Sequence, residues 1–248
     1  MKKIISLLLS IVMLVSALSA TVNAFAAGWA SNAESINLNT WYNDYIGSQG
    51  YYDSNTCYYA NSYKMYLPSK GKITIRTQNE RTYFWLDEVK IYKTSNIDSS
   101  LDYYSRDYGY SSGGGYYWNE DTYNLSQGYY YIVLQKDYNV DFDFKVSYKP
   151  IFSSTSLTKV SAKDNAFFAK WNKCSNISGY QLQYSTNSNM SSSKKVKIGS
   201  KYSSKTVKSL KNKKKYYVRV RTYKTVSVNG VNKTFYSKWS SKKTVKTK

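Results

Sequence analysis

Gly179-Tyr180-Gln181-Leu182-Gln183-Tyr184 and Tyr216-Tyr217-Val218-Arg219-Val220-Arg221-Thr222 alternate between apolar or aromatic and polar side chains. A period of two is the signature of a half-buried strand, whose successive side chains point to opposite faces of a sheet. The same period runs outward through Phe167, Ala169 and Trp171, and through Val196 and Ile198. The interleaved polar residues Lys170, Gln181, Gln183, Lys197, Arg219 and Arg221 are expected to face water. Val228-Asn229-Gly230 is a hairpin signal, because Asn-Gly tolerates the positive φ angles of a type I′ turn.

The first half of the chain shows the same grammar, less regularly. Ser62 to Leu67 alternates and stops at Pro68; a turn at Ser69-Lys70-Gly71 leads into Lys72 to Arg76, with Ile73 and Ile75 on one face. Further apolar runs lie around Trp85, Leu86, Val89 and Ile91, and at Tyr129 to Leu134. Phe142, Phe144 and Val146 alternate before Pro150. Ser111 to Gly115 reads as a flexible loop. The expected fold class is all-β, with two β-sandwich domains in tandem.

Charge places the boundary. Residues 28–150 carry 11 Lys or Arg and 14 acids, a net of −3. Residues 151–248 carry 23 Lys or Arg and a single acid, Asp164, a net of +22. The expected domains are therefore 28–150 and 151–248. So large a step predicts a polyanionic partner for the second half. Ahead of both, Lys2 and Lys3 precede the apolar run Ile4 to Ala20. Val22-Asn23-Ala24 and Ala24-Phe25-Ala26 then offer small-residue cleavage sites. Residues 1–26 read as a secretory signal peptide. The expectation is a secreted, extracellular protein, associated with the cell wall in one variant of the reading, with no transmembrane span after cleavage.

Several chemistries are disfavoured. The chain has no histidine, so it lacks the commonest general base and the commonest zinc ligand. Its two cysteines, Cys57 and Cys174, fall one in each half. Gly109-Tyr110-Ser111-Ser112-Gly113 fits a nucleophile-elbow pattern but has no histidine to serve it. Asp98, Asp102, Asp107, Glu120 and Asp121 match no calcium-loop spacing and read as solvated loop carboxylates. The expectation is a protein that is not an enzyme and takes no cofactor and no metal.

Two groups of residues suggest binding. Tyrosine is concentrated in the first half, with 22 of 29 between Tyr42 and Tyr148. Strand propensity explains Tyr129 to Tyr131. It explains less well Tyr103, Tyr104, Tyr108, Tyr110, Tyr116, Tyr117 and Trp118, which read as loop residues. Flat rings with polar tips suit sugar stacking or a protein interface. In the second half, Lys195, Lys197, Arg219, Arg221 and Lys242 are the candidate contacts to an anionic polymer, within a wider set that includes Lys194, Lys211, Lys213, Lys214, Lys215, Lys238 and Lys243.

The second half resembles a fibronectin type III domain. Trp171 ends a strand as the core tryptophan of that family does. Gly179 to Tyr184 is similar to the third strand and Tyr216 to Thr222 to the sixth. Leu210 stands six residues before Tyr216, the spacing of a tyrosine corner, whose phenol bonds back to the backbone. Asn212 departs from the usual proline after the corner leucine. The resemblance implies a binding or spacer module without catalysis. The first half resembles the jelly-roll domains at the C-terminal side of secreted bacterial peptidases. The similar pieces are Tyr63 to Pro68 with Gly71 to Ile75, and Gln127 to Val133 with Phe142 to Val146. That resemblance implies a non-catalytic accessory sandwich.

Together these readings predict a secreted binding or adhesion protein. Its partners would be an anionic cell-wall polymer or polysaccharide, with a possible protein partner and no specific nucleic acid. The alternatives are an accessory domain pair of a secreted hydrolase and an extracellular polyanion or DNA binder.

Overall fold

A computed structural model describes residues 30–47, 51–53, 58–80, 88–94, 100–102 and 105–248. The stretch read as a signal peptide, Cys57, Trp85, Asp98, Tyr103 and Tyr104 lie outside the described residues. The described chain carries eighteen strands, and it separates into two compact units that part between Lys149 and Pro150. Among the described residues no helix is long and apolar enough to cross a membrane.

The strands of the first unit are β1 (Glu34–Ser35), β2 (Trp41–Ile46), β3 (Tyr51–Asp53), β4 (Tyr58–Leu67), β5 (Gly71–Asn79), β6 (Glu88–Lys93), β7 (Ser105–Ser111), β8 (Tyr116–Leu125), β9 (Gly128–Lys136) and β10 (Val140–Pro150). One sheet has the order β1-β4-β9-β6, with β3 also on β4; the other has the order β2-β10-β5-β8-β7. The chain passes from sheet to sheet between β4, β5 and β6. After the β7–β8 hairpin it returns through β9 to β10, which lies between β2 and β5. Apart from β1 and β3, this is the strand order of a jelly roll in which β7 stays beside β8.

Alternation explains the layers. Tyr63, Met65 and Leu67 on β4, Ile73 and Ile75 on β5, Tyr130, Ile132 and Leu134 on β9, and Phe142, Phe144 and Val146 on β10 are all buried. The Tyr63 and Phe144 rings meet across the two sheets at 4.4 Å between centroids. One polar group inside is paired twice. Asp44, from β2, accepts hydrogen bonds from the Tyr63 hydroxyl and from Asn61 Nδ2. Burial and this carboxylate together push the Tyr63 phenol well above its ordinary pKa.

The strands of the second unit are β11 (Leu157–Lys163), β12 (Ala166–Trp171), β13 (Gly179–Ser185), β14 (Lys194–Gly199), β15 (Ser204–Val207), β16 (Lys215–Val228), β17 (Val231–Tyr236) and β18 (Lys243–Lys246). They form a three-stranded sheet β11-β12-β15 and a second sheet β14-β13-β16-β17, with β18 also on β16. This is an immunoglobulin-like sandwich. Trp171 is 1 % exposed, and its ring packs on Tyr180 of the facing sheet at 5.4 Å. The Tyr216 hydroxyl accepts the Lys211 N–H at 3.1 Å, closing the corner expected from Leu210 and Tyr216. Asn229 and Gly230 both have positive φ, 52° and 78°, at the β16–β17 turn, as the Asn-Gly signal requires. Gly179 sits where chains crowd: a Cβ there would lie 2.3 Å from the Ile198 carbonyl oxygen on β14.

Three expectations are corrected. The Tyr-rich stretch read as loop is a hairpin, β7 with β8, closed by a turn in which the Ser111 carbonyl accepts from Gly114 and Gly115. The acids read as solvated loop carboxylates belong partly to strands: Asp121 is 1 % exposed and takes two hydrogen bonds from Arg106, at 2.6 and 2.9 Å. Glu120 pairs with Arg76 at 3.1 Å. Gln181 and Gln183, expected to face water, are buried, and Arg219 and Arg221 beside them are half-buried. Their cover comes from residues far along the chain, described next.

Candidate functional site

The outer face of the sheet β14-β13-β16-β17 gathers four of the five basic candidates. Lys195 lies opposite Gln183, which lies opposite Arg219; Lys197 lies opposite Gln181, which lies opposite Arg221. Residues directly opposite on antiparallel neighbours share a face. The four cations therefore form two rungs, each with a glutamine at its centre. Arg219 Nε donates to Gln183 Oε1 at 2.7 Å. Arg221 donates to Gln181 Oε1 from Nε at 2.9 Å and from Nη2 at 2.7 Å.

The connection between β17 and β18 covers the arginine ends of these rungs. The Trp239 ring lies 4.6 Å from the Arg219 guanidinium carbon and 4.2 Å from that of Arg221. The Tyr236 ring lies 3.8 Å from the same Arg221 carbon. The result is a ladder: Tyr236, Arg221, Trp239, Arg219. Ser237 and Ser240 fasten the connection, their hydroxyls accepting the Thr222 and Val220 N–H groups at 3.1 and 3.0 Å. Burial lowers the pKa of both guanidinium groups. Arginine still holds its charge at any physiological pH.

Lys195 and Lys197 are exposed. Lys197 Nζ lies 5.4 Å from the Tyr223 ring on the same face. Lys242 is placed differently, its Nζ donating to the Ser188 carbonyl at 2.6 Å. Asp164, the one acid of this half, sits in the β11–β12 turn of the other sheet. The two rungs thus carry four positive charges and no negative one. The arginines have internal partners, while the lysines are free to meet a ligand. Sequence reasoning found the cations but missed Tyr236, at the end of β17, and Trp239, whose position between strands carries no periodic signal.

The aromatic candidates of the first unit divide between two faces. Tyr108 and Tyr110 on β7 are 63 % and 55 % exposed. Tyr110 lies opposite Tyr117, ring to ring at 4.8 Å. Trp118 points to the other face, opposite Gly109, and Tyr116 follows it opposite Ser111. The Arg76 guanidinium stands 4.8 Å from the Trp118 ring. A Cβ on Gly109 would come within 2.9 Å of that indole, so glycine is what lets the ring lean over β7. Tyr103 and Tyr104 lie outside the described residues. Among the described residues no group of three or more metal-ligating side chains converges. Cys174, partly buried, has no disulfide partner among the described residues.

No protein-family model matches the chain, and no curated protein is similar to it. Solved structures share parts of its shape. A fibronectin-III-like protein from Clostridium thermocellum is 18% identical over 39% of this chain and 94% of its own, with a TM-score of 0.28. A fibronectin type III domain of human contactin 1 is 14% identical over 40% of this chain and 88% of its own, with a TM-score of 0.29. A β-1,2-glucanase from Parabacteroides distasonis is 9% identical over 87% of this chain; the match spans 38% of the glucanase, with a TM-score of 0.32.

Proposed function

We propose that this is a secreted, non-catalytic binding protein whose second unit holds an anionic polymer of a cell surface, such as a teichoic acid. The first unit presents its aromatic residues to a sugar or a protein. One observation carries the reading: Lys195, Lys197, Arg219 and Arg221 share an acid-free sheet face within a unit of net charge +22. Each basic residue near an anionic surface contributes about 1 kcal/mol, so two exposed lysines in contact amount to roughly 30-fold in affinity. The arginines supply fixed charge, held in place by the glutamine oxygens and by the Trp239 and Tyr236 rings. The absence of histidine and the leader-like residues 1–26 support the non-catalytic and secreted parts of the proposal.

Co-sedimentation of the leaderless chain with purified Gram-positive walls tests it, with walls stripped of teichoic acid alongside. Binding to intact walls, none to stripped walls, and release by salt is the expected result. Screening shortens from about 8 Å at physiological ionic strength to about 3 Å at 1 M. Retention in molar salt, or equal binding to stripped walls, refutes the electrostatic hold. Stronger binding to DNA than to wall polymer in direct competition moves the assignment to nucleic acid.

A further inference from the structure

The outer face of the sheet β2-β10-β5-β8-β7 holds a cleft that the sequence does not announce. On β2, Trp41, Asn43 and Tyr45 turn outward, while Ile46 is buried. Across the ladder they meet Lys145, Asp143 and Asp141 of β10. From the other side comes Gln78 of β5, which lies opposite Trp118 and so shares its face. A cleft of about 260 Å³ opens here, lined by Asn43, Gln78, Asn79, Glu80, Asp141 and Asp143.

The lining sorts by chemistry. Asn43 Nδ2 donates to Asp143 Oδ1 at 3.1 Å, which fixes the amide and leaves its oxygen and the rest of the carboxylate for a ligand. Gln78 Oε1 accepts from Arg76 Nε at 3.3 Å, which leaves the two amide hydrogens of Gln78 to donate. Among the described residues no cation pairs with Glu80, Asp141 or Asp143. Exposed rings flank the polar floor: Trp41 is 45 % exposed and Tyr45 40 %. Four residues apart on one strand, they stand roughly 13 Å from each other, a span that a short oligosaccharide covers.

We propose that this face binds a neutral glycan chain, its hydroxyls held by the carboxylate and amide pairs and its ring faces laid on Trp41 and Tyr45. The proposal rests on the reading of the first unit as a sugar-contacting module. It assigns that role to a site distinct from the Tyr108 and Tyr110 side of the β7–β8 hairpin. Uronate or phosphate polymers meet three carboxylates that have no cationic partner among the described residues, against which Lys145, 5.5 Å over the Trp41 ring, sets a single positive charge on the β2–β10 ladder, and are repelled. An apolar ligand strips water from the same groups and returns no hydrogen bond. Vicinal hydroxyls both donate and accept, and so answer a carboxylate beside an amide.

Affinity electrophoresis of the leaderless full chain tests this, in gels containing a neutral β-glucan, arabinoxylan or galactomannan, with polygalacturonate and chitosan as charged controls. Retardation by at least one neutral glycan that persists in 1 M salt is expected. Trp41→Ala and Asn43→Ala, both at exposed positions, weaken it about tenfold each, the loss of one stacking or hydrogen-bonding contact to a ligand. Unchanged melting temperatures show that these variants fold. Retardation lost in Tyr108→Ala and Tyr110→Ala but kept in the Trp41 and Asn43 variants overturns the cleft and leaves the sugar reading standing. Retardation by no neutral glycan overturns both. Retardation by chitosan alone, abolished by salt, overturns the neutral-glycan assignment in favour of a cationic ligand.

Discussion

The ladder across the second unit makes a quantitative claim about Trp239. Its indole lies within cation–π reach of two guanidinium groups, at 4.6 and 4.2 Å. Such contacts are worth about 0.5–1 kcal/mol when exposed and about 2 when desolvated. Both arginines are half-buried, so about 1 kcal/mol each is the reasonable value. Trp239→Leu keeps most of the apolar cover and removes the π face. It is therefore expected to cost about 2 kcal/mol, or roughly 8–16 °C in the melting temperature of a unit of about a hundred residues. Urea unfolding followed by circular dichroism, fitted with one transition per unit, reads the cost. A double-mutant cycle with Arg221→Met isolates one rung and should give a coupling of about 1 kcal/mol. Coupling below about 0.3 kcal/mol refutes the reasoning: the rings and guanidinium groups would then be adjacent without holding one another.

Other consequences are as direct. Lys195→Gln with Lys197→Gln should weaken wall binding roughly 30-fold while shifting stability by less than about 0.5 kcal/mol, since both side chains are exposed; sedimentation and melting curves check the two halves of that statement. Asp121→Asn leaves Arg106 with a neutral partner at a buried position and should cost about 3 kcal/mol, the lower end for a broken interior ion pair because Arg106 can turn to water; urea unfolding of the first unit measures it. Tyr63, Tyr180 and Tyr184 have phenol pKa values raised, chiefly by burial. Their stabilising contribution is complete below the unfolded value of about 10 and is lost as pH rises above it. Absorbance at tyrosinate wavelengths should therefore include a late rise that coincides with unfolding; tyrosinate forming at these positions while the chain stays folded contradicts the burial.

What the sequence made legible was local. The alternation at Gly179 to Tyr184 and Tyr216 to Thr222, the Asn229-Gly230 turn and the Leu210–Tyr216 spacing each describe neighbours along the chain, and each has its counterpart in the sandwich. What escaped was set by distant residues. Gln181 and Gln183 look like solvent-facing strand positions until Trp239, more than fifty residues on, closes over the arginines that they hold. The β7–β8 hairpin looked like a loop because glycine and serine interrupt its tyrosines. Gly109 is in a strand because Trp118 needs the space, a reason that lies on the next strand. The cleft around Asn43 and Asp143 joins residues a hundred positions apart, with no motif in either segment.

That same separation governs how the first unit comes into being. β2 finds its ladder partner only in β10, Trp41 against Lys145 and Ile46 against Val140, so the sheet stays open at one edge until nearly the whole unit is present. Contacts of such long sequence separation fold slowly, on the millisecond-to-second scale of β-sandwiches. Until β10 is made, Trp41 to Ile46 has no strand to lie against, so the face that carries Trp41, Asn43 and Tyr45 is the last part of this sheet to be assembled.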